Sequence, residues 1–217
     1  LFGNFLIGLE YILKQSGPMT MGASQVCGFV KSDPSIATPN LQFHVQPIST
    51  DILGATKMHD FDGITPTIAN VRPTSRGEIN ITSNDTRDNP KIKMNYLSTQ
   101  EDRDVAAKGL KLVRNIMLNT ETFKKYDPQE YRPGVHITND EELVKAASDH
   151  AQTIFHPVGT CKMGKDENSV VSDELKVHGI ENLRIIDASV MPNITSGNTN
   201  APTIMIAEKG ADMILNN

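Results

Sequence analysis

The segment Leu41-Gln42-Phe43-His44-Val45-Gln46 alternates apolar and polar side chains at every step before Pro47. Successive side chains of a β-strand point to opposite faces, so the three apolar residues are predicted to share one face. The polar face then carries His44. This alternation is typical of an antiparallel sheet with one covered face, and it indicates an α+β fold in which helices cover a mainly antiparallel sheet.

Extended and helical segments surround this strand. Apolar spacing predicts a helix over residues 4–15, and a small, apolar run predicts a buried strand over residues 22–30. Residues 64–71 and 78–82 read as two further strands, joined as a hairpin by the turn-rich residues 72–77.

The second half of the chain carries mostly helical signals. Ser98-Thr99-Gln100-Glu101 has the pattern of a capping box and opens a helix to about Asn119. Asn139-Asp140-Glu141-Glu142 opens another. Residues 183–189 read as a β-branched strand that precedes a C-terminal helix beginning near Ala201.

Composition excludes several classes of function. The chain of 217 residues has 21 Lys and Arg against 26 Asp and Glu, a net charge of −5, so it has no basic excess for binding nucleic acid. No run of about 18 apolar residues indicates a transmembrane helix. The two cysteines, Cys27 and Cys161, are too few for a disulfide framework or a four-cysteine zinc site, and we predict no metal site.

Three late stretches carry candidate chemistry. In His156-Pro157-Val158-Gly159, the proline places the histidine on a stiff turn, although a His-Pro pair alone favours a structural role. Asp187 and Ala188 end the predicted strand. The carboxylate of Asp187 can accept a hydrogen bond from a ribose or ribityl hydroxyl, or it can simply cap a turn. Asn198-Thr199-Asn200 precedes the C-terminal helix, whose free amides favour an anion, or these residues simply cap the helix.

Together these stretches resemble, in the same order, the C-terminal region of the glucose-methanol-choline (GMC) family of flavin oxidoreductases. Within this family, the chain resembles choline-dehydrogenase-like and other bacterial alcohol dehydrogenases most. It rests on HPVGTCKMG at 156–164, LRIIDASVMP at 183–192 and SGNTNAPTIMIAEKGAD at 196–212, with LQFH at 41–44 and RPTSRG at 72–77 upstream.

The resemblance implies an FAD-dependent alcohol oxidoreductase. In such an enzyme a primary alcohol gives a hydride to flavin N5 while a base takes the hydroxyl proton. His156 matches the catalytic histidine and Asn198 the second catalytic position. Histidine suits a base because its ordinary pKa is about 6.5, near working pH.

Other family positions imply cofactor and substrate contacts. Asp187 and Ala188 match residues near the ribityl and pyrophosphate part of FAD, whereas Thr199 and Asn200 match the backbone beside the pyrimidine edge of the flavin. The resemblance puts the strand of His44 over the substrate cavity, where His44 is a candidate substrate contact; a solvent-exposed or structurally bonded histidine is the alternative.

The G-x-G-x-x-G turn with which the family binds FAD does not occur in the sequence. We therefore expect residues 1–155 to be the substrate-binding domain. Residues 156–217 then carry the catalytic histidine loop and a C-terminal strand-helix segment that completes the FAD-binding domain. The N-terminal FAD-binding half is expected to be the partner of this chain, which alone should neither hold FAD tightly nor turn over.

Several alternatives stay open at this point. A flavin-containing lyase of the same family and a non-catalytic substrate-binding or interaction module are the competing functions. If the group that holds the quaternary ammonium belongs on the strand near Gln25, choline is the poorer candidate, because residues 11–32 contain no carboxylate; an acid from elsewhere in the chain is the alternative anchor. We expect a cytoplasmic protein, with a peripheral membrane dehydrogenase as the alternative.

Overall fold

The computed structural model describes residues 2–22, 24–51 and 57–216. Its contacts divide into two compact units, Leu1–Val30 with Gln42–Ala69, and Lys31–Leu41 with Asn70–Asn217. The mixture of helices and antiparallel strands confirms the α+β class. The predicted assignment of residues 1–155 to a substrate-binding domain stays a prediction.

In the first unit, helix α1 spans Phe2–Lys14 and confirms the helix predicted over residues 4–15. It ends where Gln15 and Gly17 adopt positive φ angles of 49° and 85°, which no helix continues. The side chains of Phe5 and Ile12 are 64% and 76% exposed.

A three-stranded sheet has the order β1 (Val26–Val30), β2 (Leu41–Gln46) and β3 (Thr65–Asn70). The strand predicted over residues 22–30 is present but shorter, and its predicted burial is wrong, because β1 lies at the edge of the sheet with Phe29 48% exposed.

Strand β2 corrects the prediction of one apolar and one polar face. Gln42 and Gln46, on the polar face, are only 2% and 3% exposed. The burial of these two glutamines shows that this face of β2 is covered as well, and their side-chain NH₂ groups find partners there. The Gln42 Nε2 atom lies 3.4 Å from Cys27 Sγ, and Gln46 Nε2 donates to Ser24 Oγ at 3.3 Å.

The predicted hairpin between residues 64–71 and 78–82 is wrong. Strand β4 (Glu78–Asn80) instead pairs antiparallel with an unpredicted strand, β5 (Lys91–Lys93), with Ile79 opposite Ile92. The intervening residues do not close a turn between β3 and β4, because their backbone is bound elsewhere. The amides of Thr74 and Ser75 donate to Asp102 at 2.9 Å each.

The predicted helices of the second unit are confirmed. Helix α2 spans Gln100–Asn119, the single turn α3 follows at Glu121–Lys124, and α4 spans Asp140–His150. The N-cap of α2 is Thr99, one residue later than the predicted box, and its hydroxyl accepts the cap bond from the Asp102 amide at 3.3 Å. Helices α2 and α4 pack together, with Leu143 fully buried.

The C-terminal core consists of five buried residues, Val171, Leu175, Val190, Met191 and Ile206. Residues 183–189 do not form the predicted strand. Single backbone hydrogen bonds hold this segment instead. The Val177 amide donates to the Leu183 carbonyl, and the Ile185 amide donates to the Leu175 carbonyl. A 3₁₀ turn, Ala188–Val190, then leads toward helix α5, Asn200–Leu215.

Helix α5 lies so close to residue 186 that Gly210 has no room for a larger side chain. A Cβ atom at Gly210 would lie 2.6 Å from Ile186 Cγ2. We expect Gly210→Ala to lower the free energy of unfolding by about 1–2 kcal/mol, because overpacking outweighs the gain in helix propensity. Urea unfolding measures the change.

Gly8→Ala is the matched control for Gly210→Ala. Gly8 is also inside a helix, but a Cβ there would meet nothing within 4 Å. This variant should be neutral or more stable by up to about 1 kcal/mol. Equal effects of the two substitutions would contradict the close packing of α5.

Asp102 fixes residues 70–75 to the start of α2. It is 4% exposed and accepts hydrogen bonds from Asn70 Nδ2 and from the amides of Thr74 and Ser75. Burial raises its pKa, but the bonds from Ser75 and Thr74 outweigh burial and hold the pKa below its ordinary value. The folded state is therefore stabilised by the ionised carboxylate.

We expect Asp102→Asn to cost about 2–3 kcal/mol of unfolding free energy at pH 7, because an amide NH₂ replaces a charged acceptor. A depressed pKa stabilises the fold above the pKa of the unfolded chain, about 3.9, and this contribution is lost as the pH falls further. The gap between wild type and variant should therefore narrow below pH 4. Asp104→Asn, on the exposed side of α2, serves as the control. A gap that does not change with pH would contradict the role of the charge.

Candidate active site

His156 lies on a turn with unusual backbone geometry. The preceding residue, Phe155, has a φ angle of 61°, a left-handed conformation that costs energy in a residue other than glycine. The Phe155 amide donates to Thr153 Oγ1 at 3.2 Å, which helps to hold the turn. Pro157 follows, so the half-buried His156 lies between two restricted residues, in agreement with the stiff turn predicted from the sequence.

The residues after His156 dock on the C-terminal core. The amide of Cys161 donates to the Ser189 carbonyl at 3.0 Å, and that of Met163 to the Val190 carbonyl at 2.8 Å. Gly159 has a φ angle of 88°, and a Cβ atom there would lie 3.3 Å from the Met191 carbonyl oxygen. The histidine loop is thereby fixed to the segment that leads toward α5.

Both ring nitrogens of His156 contact the residues that precede α5. Its Nδ1 atom lies 2.8 Å from Thr199 Oγ1, and its Nε2 atom lies 2.9 Å from Asn198 Nδ2. The fold thus brings together two predicted catalytic positions that are 42 residues apart in sequence.

These two contacts define one tautomer of the neutral imidazole. An amide NH₂ group only donates, so Nε2 of His156 must be the acceptor from Asn198. The ring proton of neutral His156 then lies on Nδ1 and is donated to the Thr199 hydroxyl. The unprotonated nitrogen of neutral His156 is therefore Nε2, whose lone pair accepts the bond from Asn198.

Two arginines hold the loop that carries Asn198. The Arg72 Nε atom donates to Ser196 Oγ at 3.1 Å, and Arg76 Nη2 donates to Asn193 Oδ1 at 2.7 Å. Sequence reasoning assigned no role to these arginines, although both belong to the RPTSRG segment. Their charge offered no signal, because the partners are neutral and more than 110 residues away.

The predicted cofactor positions lie on two neighbouring elements. Asp187 caps the 3₁₀ turn that begins with Ala188, and its carboxylate accepts a hydrogen bond from the Ser189 amide at 2.7 Å. Thr199 is the N-cap of α5, and Asn200 is the first residue of that helix. The 3₁₀ turn contacts α5, so the four positions belong to one packed region.

Charge near the histidine loop is balanced locally. Lys162 donates to both carboxylate oxygens of Asp166, at 3.0 and 3.1 Å. The bond from Lys162 and a second one from Ser169 hold the pKa of Asp166 below its ordinary value. Across residues 2–22, 24–51 and 57–216, no three histidine, cysteine or acidic side chains come together as a metal site would require.

His44 lies in the other compact unit. It is half-buried on β2, and its carbonyl oxygen accepts a bond from Thr67 Oγ1 at 3.2 Å. Its predicted contact with substrate stays a prediction.

Comparison with known proteins places this geometry in a family. A family model described as GMC oxidoreductase matches residues 73–207, which include His156, Asp187 and Asn198. The chain belongs to the GMC oxidoreductase family. The resemblance noted in the sequence is thereby confirmed.

Curated GMC oxidoreductases match nearly all of the chain. The alcohol dehydrogenase [acceptor] of Pseudomonas putida is 44% identical over 97% of the chain, which corresponds to 38% of that protein. The oxygen-dependent choline dehydrogenase of Citrobacter koseri is 41% identical over 96% of the chain and 37% of that protein. The chain therefore spans a little over a third of the length of these relatives.

Solved structures of GMC oxidoreductases share the fold. A formate oxidase from Aspergillus oryzae RIB40, studied for the modification of its FAD, superposes with a TM-score of 0.85 at 26% identity. The match covers 97% of this chain and 41% of that one. Pyridoxine 4-oxidase from Mesorbium loti gives a TM-score of 0.80 at 26% identity, covering 90% of this chain and 38% of the other.

None of the helices formed by the described residues combines the length and apolar character needed to cross a bilayer.

Proposed function

We propose that this chain is the C-terminal, substrate-binding part of an FAD-dependent oxidoreductase that oxidises a primary alcohol to an aldehyde, with His156 as the base. One observation carries the proposal. The Nδ1–H of His156 is bound to Thr199, so its Nε2 lone pair faces the amide of Asn198. A basic nitrogen beside a hydrogen-bond donor is the pair needed to hold a hydroxyl and take its proton.

The residues that precede and begin α5 fit a flavin. The Thr199 side chain makes no cap bond to α5, and the first turn of α5 contains no acidic residue. Its first amides and positive dipole therefore favour an electron-rich group, as the pyrimidine edge of a flavin is. Asp187 is exposed and suits a ribityl hydroxyl, while Thr199 and Asn200 would contribute backbone groups.

Bound FAD would supply the acceptor for the hydride that leaves the carbinol carbon. His156 takes the hydroxyl proton at Nε2. The hydride and this proton together account for the two electrons and two hydrogens that the alcohol loses in forming the aldehyde. The resulting imidazolium keeps its Nδ1–H bond to Thr199, because both ring nitrogens are donors in that form. The proton is released once the aldehyde has left.

Asn198 orients the alcohol. A hydroxyl that donates to Nε2 of His156 replaces the amide at that lone pair, and the amide can then donate to the alcohol oxygen. An amide donor does not compete for the proton, since it remains neutral throughout the reaction. It also favours the alkoxide-like oxygen that develops as the proton leaves.

An uncharged primary alcohol is the substrate class we favour. Curated relatives are named for choline and for alcohols, but residues 11–32 have no carboxylate for a quaternary ammonium. His44 is our candidate for a contact to the rest of the substrate. The N-terminal FAD-binding half is the proposed partner, in a cytoplasmic or peripherally membrane-bound enzyme.

The test is anaerobic flavin reduction in the intact protein, with choline and uncharged primary alcohols as substrates. We expect uncharged alcohols to reduce the flavin faster than choline. His156→Ala should slow that reduction by about 10²-fold or more, the range expected for a lost general base. His150→Ala, on the exposed end of α4, is the matched control and should change little.

Three results would refute this assignment. Flavin reduction that is as fast in His156→Ala as in the wild type would show that His156 is not the base. Flavin that no alcohol reduces, combined with cleavage of a carbon–carbon bond, favours the lyase. An intact protein without any flavin favours the binding module.

We expect Asn198→Ala to slow flavin reduction more than it lowers the FAD content, because the amide holds the alcohol oxygen and not the cofactor. Stopped-flow reduction and the flavin absorbance of the purified protein separate the two effects. Loss of bound flavin with a normal rate per remaining flavin would contradict this role.

A further inference from the structure

Thr199 occupies a position that usually serves the helix it precedes. Threonine is favoured at N-caps because its hydroxyl accepts a bond from an amide in the first turn. Thr99 and Asn139 do this for α2 and α4, accepting from Asp102 and Glu142 respectively. The Thr199 hydroxyl makes no such bond to α5 and lies 2.8 Å from His156 Nδ1.

The backbone of Thr199 explains the difference. Thr99 and Asn139 have extended ψ angles of 152° and 156°, which aim their side chains back at the helix. Thr199 has a ψ angle of −5°, so its side chain is directed away from the amides of the first turn. The hydroxyl therefore serves the histidine at the expense of a helix cap.

The hydroxyl is held firmly in this place. Thr199 is 7% exposed, and its carbonyl accepts bonds from the amide and the hydroxyl of Thr203, at 3.0 and 2.6 Å. Helix α5 is itself anchored in the C-terminal core by Ile206. The position of Thr199 Oγ1 thus depends on a packed helix and not on a loose loop.

We propose that Thr199 is a positioning residue for His156, a role that rests on the proposed function. Its hydroxyl accepts a hydrogen bond from Nδ1–H and so keeps the Nε2 lone pair directed at the alcohol. Without it, Nδ1–H loses its partner and the ring is free to turn or to move its proton to Nε2. A ring protonated at Nε2 has no lone pair there to accept the alcohol proton.

Thr199→Val tests this role because valine keeps the shape and removes the hydroxyl. In the intact protein, at equal FAD content, we expect flavin reduction to slow by about 10- to 100-fold, the range seen when the partner that orients a metal-bound histidine is lost. The apparent affinity for the alcohol should change much less. Thr199→Ser keeps a hydroxyl and should recover most of the rate.

A double-mutant comparison separates positioning from general structural damage. If Thr199 acts through the ring, Thr199→Val should cost nothing further in a His156→Ala background. The same loss in both backgrounds would overturn the proposal. A lower FAD content with a normal rate per flavin would also overturn it, and would make Thr199 a cofactor contact instead.

The tautomer itself provides a readout that does not depend on activity. With ¹⁵N-labelled histidine, the His156 signals should show a protonated Nδ1 and an unprotonated Nε2 in the wild type and in Thr199→Ser, but not in Thr199→Val. An unchanged tautomer in Thr199→Val would refute the proposal even where turnover falls. If His156→Ala reduces flavin normally, the proposed function fails, and the NMR result still decides what Thr199 does to the ring.

Discussion

The contacts of one imidazole ring, at Nδ1 with Thr199 and at Nε2 with Asn198, set the geometry of this site. They require two distant stretches of chain to meet within a few tenths of an ångström. The core around Val190 makes this possible, because the loop after His156 is hydrogen-bonded to the carbonyls of residues 189 and 190 while α5 packs on the same core. Gly159 and Gly210 allow the two close approaches on which this arrangement depends.

Local signals predicted the helices well and the sheet poorly. Helices α2, α4 and α5 follow from apolar spacing and caps within a few residues of sequence. The hairpin between residues 64–71 and 78–82 failed because Asp102, far away in sequence, binds the amides that a turn would have used. A buried carboxylate on an amphipathic helix gives no sequence signal that distinguishes it from its exposed neighbours.

The site was predicted by resemblance more than by residue chemistry. A His-Pro pair alone favours a structural turn, the residues before the C-terminal helix are equally typical of a helix cap, and no spacing rule joins residues 156 and 198. The side-chain role of Thr199 could not be predicted at all, since a threonine at a helix start is expected to cap it. Only the backbone angle at that residue shows that its hydroxyl is turned away.

The chemical character of the Nδ1 partner has a consequence for proton transfer. A carboxylate at this position would place a negative charge beside the ring and so favour the charged imidazolium over the neutral base. A hydroxyl orients the ring with a neutral acceptor and adds no charge that would hold the proton. For the base that we propose His156 to be, orientation without this electrostatic bias is the more suitable arrangement. The Thr199 hydroxyl provides it at the expense of one helix cap.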